Sequence, residues 1–404
     1  MDFGWVKDEL KSYAKQAEQI IIAPMGRWGG ICKKILEEDI KFKNIVCLDN
    51  YKYDNHIVYP VEEIIHYPGA LCLITAENEE IRQTMKKQLE GYIKDIRIVE
   101  LFSDALVHKW SNLYGRVHLD FLCCGFAKCG STSLQGALCL NPNVFLPDIK
   151  ETFFAGEMFF PEAHKNFCHS YPSDLTKGKV VGGIEPSYLN CAKAVRDYFG
   201  SELKILFCVR NPVEAAHSLF RMHMRDSVND KVIYYLKKYK KISPAVFDEW
   251  IEGEDAKNIF LYMDYIKEYM KYYPKNQIKV VVFEELARSP VDLMNEIQQY
   301  IGLDEEQMIV YDEFPHENIG TCVPKDLAGA YVNKSIMQLV LDTKDPDLRI
   351  SLIGLRSLIG EITNEEYHQE MLEDTRNKLM DFYIDSIHEL EKFTGKSLKG
   401  IWYS

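Results

Sequence analysis

The chain has 404 residues, 47% of them hydrophobic and 27% charged, with a formal net charge of −13. Those values suit two globular domains with ordinary cores. They exclude nucleic acid as a partner, because no basic stripe with interleaved aromatics is present, and they make a heavily sulfated polyanion a poor acceptor. No apolar run approaches the roughly 18 residues of a membrane span. Residues 1–22 lack a basic start followed by an apolar core, so a cytoplasmic protein is expected. The eleven cysteines form no C-x-x-C pair, and several sit inside apolar runs, as reduced buried thiols do.

In chain order, the first elements alternate between strand and helix. Gln19–Ala23 is an apolar run ending in a turn with Gly26, Gly29 and Gly30. Asn44–Asp49, Ala70–Thr75 and Ile96–Leu101 are further strands, with a helix from Glu77 to Leu89. The alternation predicts parallel β/α units, a small Rossmann-like α/β module over residues 1–110. Gly26, Gly29 and Asp49 match the later parts of a dinucleotide fingerprint, but Pro24 stands where the first glycine belongs. A structural or docking module fits that partial match better than a nucleotide site with Asp49 on ribose. Residues 111–116 read as a linker and 117–404 as the second domain.

The second domain opens on Phe121-Leu-Cys-Cys-Gly125-Phe-Ala-Lys128-Cys129-Gly130-Ser131-Thr132-Ser133-Leu. An apolar strand runs into a loop of small residues and then into a helix. Unpaired backbone N–H groups at a helix start favour an anion. Lys128 adds a charge, and three consecutive hydroxyls add donors. A phosphate or close relative is the expected guest, although a glycine-rich turn with a solvated lysine has the same look. In the nucleotide-hydrolase pattern the lysine follows the last glycine. Here Lys128 precedes Gly130, which weakens a kinase or ATPase reading.

A second strand, Lys204–Val209, ends at Arg210 and passes through Pro212 into a helix carrying Ser218. Open α/β sheets bind ligands at the carboxyl ends of their strands. An arginine there and a serine two helical turns on can hold another phosphate, the arginine bidentately.

The two segments together resemble the 5′-phosphosulfate loop and the 3′-phosphate motif of sulfotransferases that use 3′-phosphoadenosine-5′-phosphosulfate (PAPS). The segment Leu379–Trp402 is similar to that family's closing helix and terminal Gly, Leu and Trp. The likeness covers roughly Val117 to Trp402 and is nearest the carbohydrate and heparan-type branch. It implies a P-loop-type sulfotransferase domain with a central parallel sheet. It also implies sulfuryl transfer from PAPS to a hydroxyl or amine of a small-molecule or glycan acceptor, with no metal. Gly125, Lys128, Cys129, Gly130, Ser131, Thr132 and Ser133 would then hold the 5′ end, and Arg210 and Ser218 the 3′-phosphate. Lys128 would act on the leaving oxygen.

The family's base segment, K-E-x-H-F-F, has a counterpart in Lys150-Glu151-Thr-Phe153-Phe154. Glu151 is the expected base; Phe153 stands where the family often has histidine. His164 and His169 are the runners-up. Glu185-Pro186-Ser187-Tyr188 is similar to the family's E-x-[ST]-P-x-Y, with Ile184 in place of a second lysine. Glu185, His316 and Asn318 are candidate acceptor contacts. Tyrosines between Phe247 and Tyr273 suit sugar stacking, but at helical spacing they are expected in a core. The alternatives to a sulfotransferase are a P-loop nucleotide kinase-like phosphotransferase and a non-catalytic nucleotide-binding scaffold.

Overall fold

The computed structural model describes residues 4–51, 58–76, 79–94, 96–103, 106, 116–148, 151, 161–226, 230–253, 255–311, 322–343 and 346–403. They fall into two compact units: Met1–Val117 with Phe154–Ser170, and His118–Phe153 with Tyr171–Ser404.

The first unit is built on four parallel strands, β1 (Ile20–Ala23), β2 (Ile45–Cys47), β3 (Leu71–Ile74) and β4 (Arg97–Glu100), in the order β2-β1-β3-β4. β1 and β3 are buried along their whole length, as apolar runs covered on both faces must be. Alternate residues of β1 feed opposite cores. Ile20 and Ile22 pack with Trp28, Leu36 and Phe102, whereas Ile21 and Ala23 pack with Val61, Met85 and Leu89. Asp49 spends both carboxylate oxygens on backbone: Met25 N–H donates to one and Tyr51 N–H to the other, each at 2.8 Å. This gives the carboxylate a loop-fixing task at the place where a dinucleotide fingerprint would aim it at ribose.

The second unit holds a five-stranded sheet of β5 (Phe121–Cys123), β6 (Val144–Phe145), β7 (Val180–Ile184), β8 (Lys204–Val209) and β9 (Ile278–Val282). All strands are parallel, in the order β6-β7-β5-β8-β9. With β5 at the centre, the carboxyl ends of β7, β5 and β8 lie side by side on one edge. The helix at Pro290–Ile301 starts on a proline and stops at the left-handed Gly302, as its sequence signals predict. The helix Glu373–Thr394 stops at left-handed Gly395.

The tyrosines at helical spacing are core. Tyr262, Tyr269 and Tyr273 are buried, and their hydroxyls donate to the carbonyls of Arg210, Tyr188 and Gly200. A helical pair, Leu327–Asp342 and Pro346–Thr363, is tied to the end of the helix Pro212–Asp226 through buried Asp226, which pairs with Arg225 and Arg356. No helix among the described residues is long and apolar enough to cross a membrane.

Candidate functional site

The loop after β5 stays locked to β8 before it turns. Cys124 N–H donates to Leu206 O (3.0 Å), Phe126 N–H to Cys208 O (2.9 Å), and Cys208 N–H to Gly125 O (2.8 Å). Only beyond Phe126 is the chain free to form a cradle. Phe126, fully buried, is held edge-on against Tyr262 with ring centroids 4.5 Å apart. Gly130 precedes the helix Ser131–Cys139 at φ 87°, in the left-handed region that favours glycine. A Cβ there would lie 2.2 Å from the ring of Phe283, so the aromatic ring occupies the space that a side chain would need. Ser131 and Ser133 are buried in the first helical turn, and Thr132 is half-buried. The donor set therefore gathers at one helix N-terminus, below a half-exposed Lys128.

Cys129 has its side chain turned inward. It is fully buried with Sγ 3.5 Å from the Tyr262 hydroxyl. Since that hydroxyl donates its proton to Arg210 O at 2.6 Å, the thiol is the donor to the phenol oxygen. Burial pushes the Cys129 thiol up to about 12, which agrees with a permanently protonated donor. Only its backbone can meet a ligand, and oxidation sensitivity in the loop has no support from its surroundings.

Tyr262 joins the two motifs. Its hydroxyl bonds both the loop, through Cys129, and the turn after β8, through Arg210. The Arg210 guanidinium lies over the Phe283 ring, 5.3 Å from the centroid, and this is the same ring that backs Gly130. The loop and Arg210 thus share two aromatic supports, and their separation in sequence vanishes in the fold.

Asn211 fixes the turn in three directions. Its side-chain oxygen accepts from Val213 N–H (3.0 Å), capping the helix Pro212–Asp226. Its amide donates to Trp402 O (2.9 Å), and its N–H donates to Glu284 (2.9 Å). Trp402 Nε1 donates to the other Glu284 oxygen at 2.9 Å. Ser218 is buried on this helix, two turns beyond Arg210.

Glu151 reaches the same edge from the other side. Its N–H donates to Ile184 O (3.3 Å) at the end of β7, and Ile184 pairs in register with Cys123 of β5. Lys128 (φ 64°) and Glu151 (φ 63°) are two of the four described non-glycine residues with positive φ. A side chain held there costs of order 1 kcal/mol, and such strain tends to gather at working sites.

The remaining candidates fare differently. Glu185 is fully buried in the turn after β7, its N–H on Cys123 O (2.8 Å). It is part of the frame and not of an open acceptor surface. Pro186 and Tyr188 are buried beside it. His164 belongs to the first unit, is buried, contacts Cys168 Sγ at 3.3 Å, and is lowered to about 4 by burial and by Arg116. So weak a base is a poor proton acceptor. His169 is exposed in the same unit. His316 and Asn318 lie outside the described residues. Sequence reading missed Tyr262, Phe283, Asn211 and Glu284. None carries a local signal, and only the proximity of Asn211 to Arg210 could have flagged one of them. Among the described residues no group of three or more His, Cys, Asp or Glu is placed to hold a metal.

The site lies within a stretch that has known relatives. Residues 118–314 match the family model described as the sulfotransferase domain. That stretch contains Lys128, Glu151, Arg210 and Ser218. Among solved structures, a sulfotransferase from Alicyclobacillus acidocaldarius is 20% identical, covering 71% of this chain and 99% of its own, with a TM-score of 0.43. The sulfotransferase domain of the Synechococcus PCC 7002 olefin synthase is 15% identical, covering 62% and 96%, with a TM-score of 0.33. A mouse sulfotransferase solved with PAP is 14% identical, covering 59% and 71%, with a TM-score of 0.29. No curated protein matches the chain significantly.

Proposed function

We propose that the second unit transfers a sulfuryl group from PAPS to a hydroxyl or amine of an acceptor, with a glycan as the favoured class. The observation that carries this reading is the joining of the Lys128 loop and the Arg210 turn through Tyr262 and Phe283. A 3′,5′-bisphosphate needs two cationic grips a nucleoside apart, and adjacent strands β5 and β8 supply one each. The donor set fits such a guest: backbone N–H groups and hydroxyls at a helix start for one phosphate, a guanidinium and a serine for the other.

PAPS, when bound, supplies a sulfuryl group that an acceptor nucleophile captures in line as the bond to the 5′-phosphate oxygen breaks. Lys128 balances the negative charge that collects on that oxygen. Gly130, Ser131, Thr132 and Ser133 hold the 5′-phosphate, and Cys129 contributes only backbone. Arg210 and Ser218 hold the 3′-phosphate. Glu151 takes the acceptor's proton. Positioning and fixed charge do most of the work, as in phosphoryl transfer. The glycan preference rests on the resemblance of the loop, base segment and closing helix to the carbohydrate branch.

Two variants test the roles. Lys128→Ala and Glu151→Gln should each lower turnover of labelled PAPS, Glu151→Gln by about 10²–10⁴-fold, the usual worth of a positioned base. Glu151→Gln should leave affinity for 3′,5′-bisphosphate (PAP) unchanged by calorimetry. Equal turnover in wild type and Lys128→Ala would remove that lysine from the reaction. Stronger thermal stabilisation by Mg-ATP than by PAP would favour a kinase instead.

A further inference from the structure

The helical pair Leu327–Asp342 and Pro346–Thr363 holds the densest group of exposed large hydrophobic side chains among the described residues. On the second helix, Leu348, Leu355 and Ile362 recur every seven residues, and Leu358 lies three beyond Leu355. That spacing puts all four on one stripe, the pattern of a helix that packs against another. Yet the stripe faces solvent, with exposure from 45% at Leu355 to 75% at Ile362. Arg356, on the opposite side of the helix from Leu358, turns inward to pair with buried Asp226. On the first helix, Gly329, Val332, Ile336 and Leu339 follow at steps of three and four, so they share a face. Gly329 sits against the second helix, where an added Cβ would meet Thr363 O at 2.6 Å. Ile336 is buried, while Val332 and Leu339 stay 40% and 55% exposed. The two stripes therefore border one another and form an apolar surface two helices wide.

Apolar side chains scattered singly over a surface are ordinary, whereas a contiguous group marks a contact. At roughly 100 Å² of open area each, the six exposed side chains present about 600 Å², the upper end for the largest patch on a monomer. Two such surfaces meeting would bury about 1,200 Å² before any polar rim is added, which reaches the size of a stable interface. The stripe is also self-complementary, as a two-fold contact requires. With the axis at Leu355, that residue meets its own copy, and Leu348 meets Ile362 of the copy, seven positions to either side. Leu358 then lands beside the small Ser351 of the copy. Charge favours the same occupant. Lys334 and Arg356 are paired with Asp230 and Asp226, and the chain carries −13 overall, so an anionic membrane finds little to attract it. Repulsion between two copies is screened over ~8 Å at physiological salt.

We propose that this face is an interface between two copies of the chain, with the helices Pro346–Thr363 packed antiparallel about Leu355. The contact does not depend on the reaction of the second unit.

Sedimentation equilibrium of the full chain at ~1–50 µM tests it, a range in which an interface of this size holds a dimer. Wild type should be dimeric. Leu355→Glu sets two carboxylates face to face on the axis and should raise the dissociation constant at least ~100-fold. Circular dichroism checks that this exposed substitution leaves the helices in place. Oxidative cross-linking tests the geometry independently, in a Cys139→Ser background that removes an exposed native thiol. Leu355→Cys should cross-link to itself under copper phenanthroline. Leu348→Cys and Ile362→Cys chains, mixed in equal amounts, should cross-link faster than either chain alone. A wild type that is monomeric at the top of the range would overturn the proposal, and so would a dimer that Leu355→Glu leaves intact. Self-cross-linking of Leu348→Cys as fast as its cross-linking to Ile362→Cys would overturn the antiparallel pairing. A monomeric wild type that pellets with phosphatidylcholine vesicles, lost in Leu355→Glu, would assign the face to lipid instead.

Discussion

Replacing Gly130 with alanine tests whether the loop and Arg210 share a support. The new Cβ would lie 2.2 Å from Phe283 Cδ2 and 2.7 Å from Cε2, far inside contact distance. Two terms add. Holding alanine at φ 87° costs about 1 kcal/mol. Forcing the ring aside costs a further ~1–3 kcal/mol, the usual range for overpacking. A total of about 3 kcal/mol corresponds to roughly 6–12 °C in melting temperature for a domain of this size. The ring also carries the Arg210 guanidinium at 5.3 Å, so PAP affinity should fall with stability. A double-mutant cycle separates the terms: in a Phe283→Ala background, Gly130→Ala should cost only about 1 kcal/mol, because the clash has gone. Urea denaturation at constant m reads both values. If the two substitutions are additive within ~0.5 kcal/mol, Phe283 is not what excludes a side chain at 130, and the shared support fails.

Two further predictions concern titration and thiols. His217 has a folded-state pKa of about 4 against an ordinary 6.5, lowered chiefly by burial. A depressed histidine pKa means that the unfolded chain binds the proton first. Its share of stability is therefore complete above pH 6.5 and is lost as pH falls toward 4, an effect of ~2 kcal/mol after allowance for residual solvent contact. The urea midpoint of wild type should drop across that window more steeply than that of His217→Gln, and parallel slopes would dismiss His217 as the cause. Cys129, buried and pushed to about 12, should resist iodoacetamide at pH 8 in the folded protein while exposed Cys139 is labelled. Peptide mapping that finds Cys129 labelled at a comparable rate would contradict its place against Tyr262.

The strands and the two strand-to-helix segments that carry Lys128 and Arg210 could be read from the chain because their signals are local. An apolar run that stops at glycine, or at arginine followed by proline, announces a strand end and a helix start within a dozen residues. The helix Pro290–Ile301 carries signals of the same local kind, with proline at its first position and glycine past its last. What joins the motifs was not legible. Tyr262 meets Cys129 across 133 positions and Arg210 across 52, and no local pattern distinguishes it from the other core tyrosines. Glu284 is adjacent to Glu285 in sequence, and nothing local shows that both its oxygens are used by Asn211 and Trp402. His164 shows the converse: a histidine offers no hint in sequence that burial will strip it of basicity.

The bond from Asn211 to Trp402 spans 191 positions and sets a clock during synthesis. At about 5–20 residues per second, the turn bearing Arg210 leaves the ribosome roughly 10–40 s before its latch is made. Through that interval the strands β5 to β9 can pair, but the turn lacks the residue that takes up the Asn211 side-chain amide and the second Glu284 oxygen. Until then the nascent chain depends on its sheet and aromatic core alone. Substitutions at Trp402 should consequently lower the yield of soluble protein more than a single lost hydrogen bond lowers the equilibrium stability of the finished one.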